Sequence, residues 1–201
     1  MPAAEPQGII LASASPRRSE LLEQVGVRFQ VIPSDTDEVL FAGETAEAHT
    51  VRLSRDKALE VARRPTIAGR WFIGSDTIVV LDGAILGKPA DTAAARGMLN
   101  SLSGRHHRVV SGYAVHDRVS GRTISAAVMT KVFFKELTSR EIEGYIATGE
   151  PFDKAGAYAI QGIGSFMVPR IEGSYTNVVG LPLCEVIAAL EELGAIELFT
   201  G

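Results

Sequence analysis

Asp76 sits in Ile73-Gly74-Ser75-Asp76-Thr77-Ile78, a carboxylate inside an otherwise apolar run. A carboxylate is expensive to bury unless it is hydrogen-bonded, paired or bound to a metal. Asp76 therefore either accepts backbone N–H groups or binds something, and it is the leading candidate for catalysis. Gly74 allows another backbone to approach closely, and Thr77 adds a hydroxyl beside it. A second constellation lies in residues 9–18, IILASASPRR. The Ser13 and Ser15 hydroxyls, a helix start at Pro16, and Arg17 and Arg18 come together there. Helix N-termini attract anions, and arginine forks match phosphate oxygens. This segment is suited to a phosphorylated ligand.

Other polar residues are compatible with the same chemistry without requiring it. Lys88, between Gly87 and Pro89, lies on a loop that can approach a phosphate as a point charge. Lys57 lies in RLSRDKA among Arg52, Arg55 and Asp56, which by itself reads as a solvated helix face rather than a site. Asp35, Asp37 and Glu38 crowd one loop. Such a loop is either merely solvated or, with Asp76, a source of oxygen ligands for Mg²⁺ or Mn²⁺, which take one or two carboxylates beside substrate phosphates. In residues 153–162, DKAGAYAIQG, Tyr158 and Gln161 are spaced to decorate a glycine-rich loop. Gln161 can both donate to and accept from a base edge; the plainer alternative is a structural turn. His49, His106, His107 and His116 form no zinc-ligand spacing, and His106-His107 reads as a turn. Cys184 reads as a small core residue of an apolar helix. The sequence contains neither GxxxxGK[ST] nor GxSxG, which removes P-loop and nucleophile-elbow chemistry.

The elements that must position these residues follow from periodicity. Residues 9–12 form an apolar strand, followed by a helix from Pro16 with the N-terminal proline that helix starts favour. A half-buried strand is expected over 27–32. A long helix over 46–64 has Val51, Leu53, Ala58 and Val61 on its apolar side and is broken by Pro65. The runs 71–73 and 78–81 flank GSDT as a strand with a kink, and Asp82-Gly83 is a hairpin turn. Asp91 is an N-cap, residues 108–116 and 123–135 are antiparallel strands, and Thr138 with Glu141 forms a capping box. Residues 149–165 carry few regular signals, 166–171 read as a strand, and 183–193 as a closing helix. The pattern predicts an α/β or α+β fold, a mixed sheet flanked by helices and bent around a cleft, within one domain spanning 1–201.

Bulk composition narrows the class. Of 201 residues, 46% are hydrophobic and 22% charged, with a net charge of −4. The 20 Lys and Arg are spread along the chain, so a broad nucleic-acid surface is not expected. One cysteine rules out an internal disulfide framework and agrees with a reducing compartment. The start MPAAEPQG does not read as a signal peptide, and no apolar run approaches the about 20 residues of a membrane span. A cytoplasmic location is the expectation.

Taken together, LASASPRR (11–18), DTDE (35–38), RLSRDKA (52–58), GSDT (74–77), GKP (87–89), LSG (102–104), GEPFDKAGAYAIQG (149–162) and IEGSYTNVVGLPL (171–183) resemble the Maf family of nucleoside triphosphate pyrophosphatases. DKAGAYAIQG is similar to the subgroup that prefers dTTP and UTP. GSDT stands where related sequences often have GADT. The resemblance implies hydrolysis of a nucleoside triphosphate to the monophosphate and pyrophosphate with a divalent metal, Mg or Mn. It also implies a fold related to inosine triphosphate pyrophosphatases, with two lobes around a central cleft, and a homodimer. By the same resemblance Asp76 is the proton acceptor, and Arg18, Thr77 and Gln161 match positions linked to substrate preference. Ser13, Glu38, Lys57 and Lys88 match the remaining polar positions. Mg²⁺ or Mn²⁺ is expected at Glu38, Asp76 and the phosphate oxygens, with Asp76 either accepting the proton or holding the ion beside it. Two alternatives stand beside this reading. One is a non-catalytic nucleotide sensor or regulator of septum formation, and the other is a pyrophosphatase for methylated guanine nucleotides.

Overall fold

The computed structural model describes residues 8–199, so most of the N-terminal stretch read above as no signal peptide lies outside the described residues. Strand β1 (Ile9–Leu11) is buried along its whole length, as its apolar run requires. It pairs in parallel with β2 (Phe29–Val31) on one side and with β3 (Trp71–Leu81) on the other. Parallel neighbours need crossover connections. Helices α1 (Pro16–Gln24) and α2 (Ala46–Ala62) provide them.

β3 ends in a two-residue turn with Asp82 at φ 50° and Gly83 at φ 84°. Positive φ at both central residues defines the hairpin turn whose twist matches its strands. The chain returns antiparallel as β4 (Ala84–Leu86). Asp91 caps α3 (Thr92–Leu102), its carboxylate accepting from Ala94 N–H at 2.7 Å. Strands β5 (His106–Asp117) and β6 (Thr123–Phe133) follow, then α4 (Ser139–Ala147), which carries the expected capping box. Three 3-10 turns (Glu150–Asp153, Ala155–Ala157, Gly162–Met167) lead to β7 (Arg170–Glu172), α5 (Tyr175–Val179) and α6 (Leu183–Glu192). The sheet runs β2-β1-β3-β5-β6-β7, with β4 on β3. Parallel and antiparallel pairs coexist in it, so the mixed α/β class is the class observed.

Among the described residues the chain forms two compact units, one from residues 8–76, 111–128 and 180–199 and one from 77–110 and 129–179. Each has its own core. In the first, Ile10, Ala12, Ala58, Val61, Phe72 and Ala114 pack together. In the second, Leu99, Val109, Phe134, Ile142, Tyr145 and Met167 are among the buried cluster.

Several local expectations are corrected. GSDT does not interrupt the strand; β3 runs unbroken from Trp71 to Leu81. His106-His107 is not a turn but the start of β5, where alternation sends His107 inward against Phe134 and Tyr158. Tyr158 therefore belongs to the core rather than decorating a loop. The strand expected over 166–171 is displaced and shortened: residues 166 and 167 end the 3-10 turn Gly162–Met167, and β7 covers only Arg170–Glu172. Cys184 is exposed, because it shares the outer stripe of α6 with Ala188 and Glu191 while Val186, Ile187, Ala189 and Leu190 face the core.

Candidate active site

Alternation along β3 places Gly74 and Asp76 on one face and Ser75 on the other. The face bearing Gly74 meets α2 so closely that a Cβ at Gly74 would lie 2.0 Å from the Ser54 carbonyl oxygen. Gly112 on β5 makes the same accommodation, its Cβ position lying 2.1 Å from Thr50 O. Two glycines thus let the helix backbone lie directly on the sheet. The α2 turn that covers Gly74 also carries Lys57. Its ammonium donates to Asp76 Oδ1 at 2.8 Å and to Glu38 Oε1 at 2.6 Å. The Lys57 and Asp76 side chains are 9% and 8% exposed, whereas Glu38 is 58% exposed. Lys57 is therefore not on the solvated face that its local sequence suggested.

The loop carrying Glu38 is fastened to α2 on both sides of Lys57. Arg52 donates to Glu44 Oε1 at 2.7 Å and to Val39 O at 2.8 Å, and lies over the Phe41 ring. The hydrogen bond from Arg52, helped by His49, holds the Glu44 carboxyl down to about 2. At the other side Arg64 pairs with Asp35 at 2.9 Å, and Glu60 accepts the Asp35 N–H at 3.2 Å. Of that acidic loop, Glu38 reaches Lys57 while Asp35 is engaged by Arg64.

Arg18 enters from the first turn of α1, with Pro16 at the helix start as expected. Its Nη1 donates to Ser13 Oγ at 2.9 Å and its Nε to Gly180 O at 2.8 Å. Burial pulls the guanidinium pKa down, while the charges of Asp76 and Glu38 push it back up. An arginine stays protonated through any such shift. In the first unit, then, Ser13, Arg18, Glu38, Lys57 and Asp76 form one polar constellation. The Gly180 carbonyl and Ser75, whose hydroxyl reaches Gly112 O at 2.8 Å and Gly180 O at 3.1 Å, were missed. A buried serine beside the candidate acid was the available signal; nothing local marks Gly180.

The second unit holds Thr77, Lys88 and Gln161. Thr77 is half-buried on β3, Lys88 is exposed between β4 and α3, and Gln161 precedes the 3-10 turn Gly162–Met167. Gly156 N–H donates to Gly87 O at 3.0 Å, joining the segments that carry Lys88 and Gln161.

Two carboxylate oxygens converging on one cation, from Glu38 and Asp76, are hard donors of the kind Mg²⁺ or Mn²⁺ accepts beside phosphate oxygens. Among the described residues there is no group of three or more His, Cys, Asp or Glu side chains placed to hold a metal. A divalent ion at these two carboxylates would need further oxygen ligands from elsewhere.

The family model described as Maf-like protein matches residues 8–193. The chain belongs to the Maf family. A Maf relative from Syntrophotalea carbinolica, named dTTP/UTP pyrophosphatase, is 64% identical over 96% of this chain and 88% of its own length. Another of the same name, from Geotalea uraniireducens, is 60% identical over 94% of this chain and 96% of its own. Among solved structures, a nucleoside-triphosphatase / dITP/XTP pyrophosphatase from Mycobacterium abscessus is similar over 92% of this Maf chain and 97% of its own, at 18% identity and a TM-score of 0.43.

Proposed function

We propose that this Maf protein hydrolyses dTTP and UTP, and modified pyrimidine nucleotides of the same shape, to the monophosphate and pyrophosphate. The observation that carries the reading is the contact of the buried Lys57 ammonium with both Asp76 and Glu38. A site built only to bind a polyanion has little use for two carboxylates there. The names of the relatives support the substrate class.

In this reading water attacks the α-phosphorus, the bond to the bridging oxygen breaks, and pyrophosphate leaves. Asp76 takes the proton from the attacking water, and Lys57, donating to its Oδ1 at 2.8 Å, holds that carboxylate in place. Arg18 and Ser13 bind phosphate oxygens, and Lys88 stabilises charge on the departing pyrophosphate. Thr77 and Gln161, with Arg18, select the base. Glu38 and Asp76 would hold a Mg²⁺ or Mn²⁺ ion, which when bound supplies charge neutralisation at the phosphates. The reading extends to a homodimer, implied by family membership and tested by light scattering, and to a cytoplasmic location, tested by cell fractionation.

The decisive experiment is pyrophosphate release with Mg²⁺ or Mn²⁺ across dTTP, UTP, GTP and methylated GTP. The expected result is turnover of the pyrimidine nucleotides, reduced roughly 10²–10⁴-fold in Asp76→Asn. Near wild-type turnover by that variant would remove Asp76 from the mechanism. Binding without release would favour a sensor, and preference for methylated GTP would favour the purine alternative.

A further inference from the structure

Gln161 sits in a stretch of backbone held on both sides by a carboxylate and a buried phenol. Glu150 Oε1 accepts the Gly164 N–H at 3.1 Å and the Tyr145 hydroxyl at 2.9 Å. Its Oε2 accepts the Ile163 N–H at 3.1 Å. The Tyr145 oxygen in turn accepts the Ala159 N–H at 3.2 Å. Tyr145 comes from α4 and is itself packed in the second unit's core. The segment is thus tied to α4 two residues before Gln161, and to Glu150 of the 3-10 turn Glu150–Asp153 two and three residues after it.

The glycines of this stretch make that closeness possible. Gly162 has φ +68°, and a Cβ there would lie 2.8 Å from Glu150 Oε2. A Cβ at Gly164 would lie 2.5 Å from Ala159 O and 2.7 Å from the Tyr145 hydroxyl. Glycine density, weak evidence for a ligand by itself, has a definite role: it lets the loop close onto one carboxylate–phenol pair. Burial, then the hydrogen bond to Glu150, raises the Tyr145 pKa, so the phenol remains a donor. For Glu150, desolvation acts upward, but the Gly164 and Ile163 N–H groups and the Tyr145 hydroxyl outweigh it and keep the carboxylate ionised.

We propose that Tyr145 and Glu150 are positioning residues for base selection, setting where Gln161 is held by fixing the backbone of residues 159–164. The proposal rests on the reading of Gln161 as a base-selecting residue. Neither Tyr145 nor Glu150 touches substrate in it. Without these anchors, a segment containing Gly156, Gly162 and Gly164 samples many conformations. Discrimination between bases is then lost before the chemistry at the phosphates.

The test compares kcat/KM for dTTP and GTP in wild type, Gln161→Ala, Tyr145→Phe, Glu150→Gln and Tyr145→Phe combined with Gln161→Ala. Thermal melts accompany each. Tyr145→Phe and Glu150→Gln are expected to lower the dTTP-to-GTP ratio about tenfold, the scale of one pocket contact, mainly through a higher KM for dTTP. Adding Tyr145→Phe to Gln161→Ala is expected to change the ratio no further, because both act through the same contact. An unchanged ratio in Gln161→Ala would overturn the reading beneath the proposal. A lowered ratio in Gln161→Ala with unchanged ratios in both positioning variants would overturn the proposal alone. So would an equal loss on both nucleotides that follows the melting temperature. If one positioning variant fails to fold, the other decides.

Discussion

Gly74→Ala tests the link between backbone packing and catalysis. The added methyl would lie 2.0 Å from Ser54 O and 2.9 Å from Ala58 N, both backbone atoms of α2. Ordinary contact begins near 3.4 Å, so α2 must retreat by about 1.4 Å at Ser54, and no side-chain rotation relieves the overlap. Lys57 lies within that turn, and its 2.8 Å bond to Asp76 stretches beyond hydrogen-bonding range as the helix moves. Overpacking against backbone belongs at the upper end of the usual range, about 3 kcal/mol. For a chain of this size that lowers Tm by roughly 6–12 °C. Displacing a catalytic group by about 1 Å costs on the order of 10²-fold in turnover. Calorimetry and pyrophosphate release on the same preparation measure both. Wild-type melting and wild-type turnover in Gly74→Ala would refute the argument that this glycine seats Lys57 on Asp76.

The same substitution at Gly97, inside α3 and facing open space, is expected to stabilise by about 0.5–1 kcal/mol and leave turnover unchanged, as urea melts and the same assay would show. Lys57→Met leaves the Asp76 carboxylate buried without its ammonium and should cost about 3–5 kcal/mol; Lys57→Met with Asp76→Asn should recover part of that stability in urea titrations while remaining inactive. Burial pushes His107 down to about 4 from 6.5, so the unfolded chain takes up a proton at this position between those values while the folded chain does not. Stability from this group is present above pH 6.5 and is lost as pH falls toward about 4, a change of about 3 kcal/mol; melts at pH 5 and 7.5 should show a smaller difference in His107→Gln than in wild type. Chelation by EDTA is expected to abolish pyrophosphate release, and added Mg²⁺ or Mn²⁺ to restore it; full activity after exhaustive chelation would remove the ion from the mechanism.

Where the local sequence holds the cause, the structure followed it. Pro16 starts α1, Asp91 caps α3, Thr138 and Glu141 form their capping box, and Asp82-Gly83 makes the turn that positive φ demands. Each depends on groups a few residues apart. Expectations failed where a distant partner decides: His107 and Tyr158 are core residues because β5 and the 150–167 segment meet, and neither neighbourhood reveals that meeting.

The site divides in the same way. Residue type and setting singled out Asp76, because a carboxylate in an apolar strand has to be compensated, and Ser13 and Arg18, because hydroxyls and guanidinium at a helix start suit an anion. Its local sequence alone made Lys57 look like a surface lysine. Only the tertiary structure decided it, since two glycines let α2 lie against the sheet and bring Lys57 onto a carboxylate 19 residues away. The same holds for Glu150 and Tyr145, whose place beneath the Gln161 loop depends on a backbone path rather than on any local pattern. Local chemistry identifies groups that need a partner; long-range packing supplies the partner.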